Sequence, residues 1–171
     1  MKHSDMSRAG FRYWVTKMHH GEAYAETNRG SPLGVASTVP TVSDKIMERK
    51  LIYTAERVVR VVCRAYKVWQ HDVIGKGRFT ANIRPRRHIM WILYHERSDL
   101  GSHSVGQCVG GRDHATVLHA LDRFGDAESG EGVSPTFYNK VNEMILEDYR
   151  YDQQKEAARA ERNELEGASV N

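Results

Sequence analysis

Apolar positions recur at helical spacing in several separate stretches of the chain, and no stretch alternates as strands do. Residues 43–69 form the clearest pattern. Leu51, Ala55, Val58, Val59, Val62, Tyr66 and Trp69 make one broad stripe, with Ser43 as N-cap. Arg49, Lys50, Glu56, Arg57, Arg60 and Arg64 mostly occupy the other face. The β-branched content lowers intrinsic propensity, so packing must hold this helix. Residues 71–83 are short and polar, with Gly75 and Gly77 limiting helix formation. Pro85 suits the first turn of a new helix. Over 86–97, Ile89, Ile92 and Leu93 face inward, flanked by Trp91 and Tyr94. Two short helical segments follow. Residues 104–109 carry Val105 and Val109, Gly110 and Gly111 supply a turn, and residues 113–124 carry Val117, Leu118, Leu121 and Phe124. Asp113 is a good N-cap for the second segment, accepting from the N–H of Thr116. A helix, a glycine-bearing turn and a second helix form the helix-turn-helix pattern. Residues 136–166 read as a last helix, with Phe137, Val141, Met144, Ile145 and Tyr149 on one side. Beyond Tyr151 that stripe fades into a charged extension expected to fray.

The stretches between these patterns divide the chain in three. Residues 1–42 read as a flexible leader, with Gly30, Pro32, Gly34 and Pro40 supplying linker chemistry. Phe11, Tyr13, Trp14 and Val15 stand out within it, either as a docking patch or as aromatics on a disordered arm. Residues 43–125 are the expected folded body, and residues 126–171 a Gly/Ser/Glu linker followed by an acidic helix. The fold class is therefore all-α, a helix-turn-helix bundle with an N-terminal arm and a C-terminal helix.

Composition narrows the function classes. With 171 residues, 40% apolar and 27% charged, the chain fits one domain plus loose ends. No run approaches the ~18 apolar residues of a membrane span, and no signal peptide is expected. Two cysteines, Cys63 and Cys108, make neither a disulfide framework nor a zinc knuckle, which points to a reduced, cytoplasmic setting. The net charge of +3 hides an asymmetry: residues 1–125 hold 20 basic and 11 acidic side chains, residues 126–171 hold 5 and 11. A basic body with an acidic tail points to a polyanionic partner, against the plain alternative of an uneven solvated surface.

Catalysis finds no support. The segment Gly75-Lys76-Gly77-Arg78 is no Walker motif, which needs GxxxxGK[ST]. His114 and His119 lie five apart and diverge on a helix; there is no HExxH. Cys63 falls in the helix stripe and reads as buried and inert. No enzyme, metal, nucleotide or other cofactor is expected. Duplex DNA fits better. In a helix-turn-helix the second helix enters the major groove with its N-terminal residues at the base edges. Here these are Arg112, Asp113, His114, Ala115 and Thr116. Arginine suits guanine, aspartate suits cytosine N4, and a methyl suits thymine. The basic run Arg84, Arg86 and Arg87, with Lys76 and Arg78 just before it, suits phosphate or narrow minor-groove contacts.

The string GGRDHATVLHA at 110–120 resembles the signature of the C-terminal DNA-binding domain (domain IV) of the bacterial replication initiator DnaA, departing from it at Ala115, where that family usually has Thr. Arg84-Pro85-Arg86 is similar to the RPR that precedes the family's long helix, and Ser104-Val105-Gly106 to its residue–Ile–Gly step. Arg87 stands where the family often has Gln, and His103 where it often has Pro. The resemblance covers about 61–124. It implies a Trp-repressor-like helix-turn-helix that binds a short A·T-rich box as a monomer, in replication initiation or its regulation. It also implies that Asp113, His114 and Thr116 face bases or adjacent phosphates, Arg86 the major-groove edge or backbone, and Arg78 the minor groove. No ATPase module of that family is expected in these residues, so a stand-alone, nucleoid-associated DNA reader is the expectation. A transcriptional regulator using the same module stays open, as does an interaction protein with residual DNA binding. A replication or transcription partner would engage the acidic C-terminal helix, which otherwise serves as a solubilising or shielding tail.

Overall fold

A computed structural model describes residues 41–77, 79–124 and 134–168. The expected leader up to residue 40, including Phe11, Tyr13, Trp14 and Val15, lies outside the described residues, as do Arg78 and the linker at 125–133. Among the described residues there are seven helices and no strand: α1 (Val42–Ile52), α2 (Ala55–Tyr66), α3 (Gln70–Ile74), α4 (Thr80–Glu96), α5 (Ser102–Cys108), α6 (His114–Phe124) and α7 (Pro135–Ala168). The fold is all-α.

The single helix expected over 43–69 is two. α1 starts one cap earlier than Ser43. The Thr41 hydroxyl accepts from the Asp44 N–H at 3.2 Å, and the Thr41 N–H donates to the Asp44 carboxylate at 2.9 Å, a reciprocal capping box. The break comes at Thr54. It takes an extended conformation, and its hydroxyl accepts from the Arg57 N–H at 3.3 Å, starting α2 afresh. Arg57 seals the break from the other side, with Nη1 donating to the carbonyls of Leu51 (2.6 Å) and Ile52 (2.9 Å). α2 ends where Lys67 turns left-handed (φ 56°) and Val68 donates back to Cys63, so Trp69 leaves the stripe and is 75% exposed.

α4 begins at Thr80, five residues before Pro85, so the proline lies inside the helix. The carbonyl it leaves without a helical donor belongs to Ala81, an exposed residue of the first turn, which is why the ring is tolerated there. α4 is the axis of the bundle. It packs against α2, α3, α5 and α6, and Ile89, Met90, Trp91, Ile92 and Leu93 are all buried. Trp91, expected at the flank, is therefore core, whereas Tyr94 stays partly exposed.

The N-terminal half of α7 closes the core with Tyr138, Val141 and Ile145. The Tyr138 hydroxyl donates to Glu96 at 3.3 Å, and Glu96 also accepts from Arg49 of α1 at 3.0 Å. Asp148 and Asp152 then meet the arginines of α2, which the helical pattern placed on an outer face. Arg57 Nη2 donates to Asp152 at 2.9 Å, Arg64 Nη2 to Asp148 at 2.7 Å, and Arg60 reaches both carboxylates. Burial raises the Asp148 carboxyl, but hydrogen bonds from Arg60 and Arg64 outweigh it and hold it below its ordinary value. The acidic and basic halves are thus joined inside the molecule. Residues 153–166 continue the helix and are exposed.

Candidate nucleic-acid interface

α5 and α6 form the helix-turn-helix, and its corner depends on three glycines. Gly110 and Gly111 are both left-handed (φ 83° and 69°), a conformation L side chains rarely adopt. A Cβ on Gly110 would collide with the Ile74 carbonyl, and one on Gly106 with the Arg112 carbonyl. The Arg112 N–H donates to Gly106 O at 2.9 Å, closing the turn. Asp113 caps α6 as expected, accepting from the Thr116 N–H at 2.6 Å, and that bond lowers its carboxyl below its ordinary value. Val105, Val109, Val117, Leu121 and Phe124 face inward, joined by Ala120. Leu118, expected in that group, is 49% exposed, because it sits about 100° around the helix from Val117.

The outward side of α6 and its cap presents Asp113, His114, Ala115 and Thr116, all exposed, with Leu118 and His119 behind them. Arg112 is half-buried and points elsewhere. Its Nη2 donates to the Gly75 carbonyl, tying the helix-turn-helix to the loop after α3.

Arg86 binds the same loop. Sequence reasoning put it at the duplex surface; instead it is buried among carbonyls. Its Nε donates to Val73 O at 2.7 Å, and its Nη2 lies 3.3, 3.2 and 3.1 Å from the carbonyls of Asp72, Gly75 and Gly77. Burial, and then the nearby Arg112 charge, lower its pKa. Asn82 adds a bond to Asp72 O at 3.3 Å. Two guanidinium groups therefore converge on Gly75 and fix the loop between α3 and α4 against the turn.

On this frame Lys76 and Arg84 are exposed and Arg87 is half-buried; Arg78 falls outside the described residues. Exposed Lys76, Arg84, Asp113, His114, Ala115 and Thr116 can meet a ligand directly, whereas Arg86 and Arg112 shape the frame. Phe79, not singled out by the sequence pattern, is 72% exposed at the start of α4. Cys63 is buried, and burial pushes its thiol up to about 11. Among the described residues no cluster of His, Cys, Asp and Glu is arranged to hold a metal, and no helix is long and apolar enough to cross a membrane.

Residues 55–123 match the family model described as bacterial dnaA protein helix-turn-helix. Similar curated proteins are chromosomal replication initiator proteins DnaA. That of Herpetosiphon aurantiacus is 32% identical over 105 residues, covering 61% of this chain and 22% of the relative. That of Neisseria meningitidis is 36% identical over 80 residues, 47% of this chain and 15% of the relative. That of Methylacidiphilum infernorum is 28% identical over 124 residues, 72% of this chain and 27% of the relative. The chain thus spans about a quarter or less of these relatives. No solved structure matches it. The glycine corner, the Asp113 cap and the run GGRDHATVLHA all lie within the segment 55–123 that matches the bacterial DnaA helix-turn-helix model.

Proposed function

We propose that this chain binds duplex DNA sequence-selectively, in replication initiation or its regulation at DnaA-box-like sites. One observation carries the reading: the capped N-terminal turn of α6 exposes Asp113, His114, Ala115 and Thr116 beside a basic loop held rigidly to the same corner. Those four residues enter the major groove and meet base edges or adjacent phosphates. Lys76, Arg84 and Arg87 serve the phosphate backbone. Arg86 and Arg112 act by holding the loop and turn in register rather than by touching DNA. Arg78 is the minor-groove residue implied by the family resemblance.

The binding unit extends beyond 43–125. Tyr138, Val141, Ile145 and the Asp148 and Asp152 ion pairs make the first half of α7 part of it, leaving 153–166 as an exposed extension of mixed charge available to a protein partner. The reading is tested by electrophoretic shift on a DnaA-box duplex, scrambled boxes and promoter DNA. The box duplex is expected to bind at least about tenfold tighter than its scrambled forms. Equal affinity for every duplex refutes sequence selectivity, and preference for promoter DNA over the box moves the protein to transcription.

A further inference from the structure

We infer that Phe79 is an apolar DNA contact, its ring lying against the sugar and base wall of the groove that flanks the one α6 occupies. The inference rests on the proposed duplex binding.

Phe79 has no structural return for its position. It is the N-cap of a 17-residue helix and makes no side-chain cap bond, where Ser, Thr, Asp or Asn would satisfy an orphan N–H. Its ring is 72% exposed, so it adds little to the core. A large apolar group in that place is unfavourable for the free fold on both counts.

The ring is nonetheless held. A Cβ built on Gly77 would lie 3.2 and 3.3 Å from Phe79 Cδ2 and Cε2, so the ring rests over that glycine. Arg86 Nη2 reaches the Gly77 carbonyl at 3.1 Å and the Gly75 carbonyl at 3.2 Å, and Arg112 reaches Gly75 from the recognition side. Phe79 lies four positions after Gly75, a span of at most ~14 Å. The ring is therefore pre-positioned within about one groove width of the turn that presents α6. Exposed Lys76 and Arg84 stand on either side of it in sequence. An aromatic between basic side chains fits a groove edged by anionic phosphates whose sugar walls offer apolar contact. Apolar side chains pressed into the minor groove are an established way of holding DNA.

The test compares the full chain with Phe79→Ser and Phe79→Leu on a fluorescein-labelled box duplex, by anisotropy over a salt series, alongside thermal unfolding. Phe79→Ser supplies the missing cap, so its unfolding temperature is expected to match or exceed that of the wild type. Its duplex affinity is expected to fall about tenfold at every salt concentration, with an unchanged salt slope, because an apolar contact releases no counterions. Phe79→Leu is expected to keep affinity within about threefold. Undiminished binding by Phe79→Ser overturns the inference while leaving duplex binding intact. A lowered salt slope in Phe79→Ser overturns it too, since the loss would then be electrostatic. A wild-type chain that binds no duplex removes the proposed function and this contact together.

Discussion

Replacing Arg86 with Met separates a clamp from a phosphate contact. Met keeps most of the aliphatic stem and deletes the guanidinium. The Nε bond to Val73 O, short and buried, counts in full; the three carbonyls near Nη2 share two N–H groups and count together as about one bond. Bonds to a charged group are worth ~1.5–3 kcal/mol each. The guanidinium's own burial offsets part of that gain, which leaves a loss of ~2–4 kcal/mol. With a urea dependence of ~1–3 kcal/mol/M, the midpoint of unfolding falls by about 1–2 M. The assay is urea denaturation followed by Trp fluorescence, paired with duplex binding over a salt series. Lys76→Ala is the contrast: Lys76 is exposed, so stability holds while the salt slope drops by about one. An Arg86→Met protein with an unchanged midpoint and a slope reduced by about one would refute the clamp and restore Arg86 to the DNA surface.

Three further outcomes follow from the packing. His88 is fully buried among Phe124, Phe137 and Tyr138, with Tyr66 Oη 3.3 Å from Nδ1, and burial pushes its pKa down to about 3. Its folded value lies below the ordinary 6.5, so stability is complete above pH 6.5 and is lost as pH falls, by ~2 kcal/mol between pH 7.5 and 5; urea midpoints in that window should lose this slope in His88→Phe, and a persisting slope contradicts the assignment. Gly110→Ala combines a left-handed φ with a backbone collision and should cost about 3 kcal/mol or more, whereas Gly111→Ala meets nothing within 4 Å and should cost about 1 kcal/mol; equal losses on thermal unfolding would remove the close approach to Ile74. Asp148→Asn removes the charge shared by three arginines at a site 13% exposed and should cost ~2–3 kcal/mol, with a clearly smaller loss for Asp152→Asn; the reverse order would refute the α2–α7 network.

The parts legible in the sequence were those decided by near neighbours. The glycine pair, the Asp113 cap and most inward positions of α4 and α6, Trp91 and Leu118 apart, follow from spacing within one or two turns. The break at Thr54 was hidden because the apolar stripe runs straight through it, from Leu51 to Ala55 and Val58. A hydroxyl cap and the Arg57 side chain decide it instead, and neither alters the hydrophobic period. Arg57, Arg60 and Arg64 read as a solvated face because their carboxylates, Asp148 and Asp152, come 84 to 95 residues later. Arg86 read as surface for a similar reason. Its acceptors are loop and helix-end carbonyls, which carry no mark in the sequence and converge only when α3 folds back on α4. Phe79 was visible as an apolar residue in a basic stretch, but its exposure and its seat on Gly77 are properties of the fold.

Sequence in duplex DNA is expected to be read by the exposed N-terminal turn of α6. The most direct test is the ratio of affinities for the box and a scrambled duplex, measured by anisotropy at one salt concentration for the wild type and His114→Ala. The expected result is a wild-type ratio of at least about ten and a smaller ratio in His114→Ala, since a lost base contact is worth ~1–3 kcal/mol. A wild-type ratio of one, or an unchanged ratio in the variant, would contradict it.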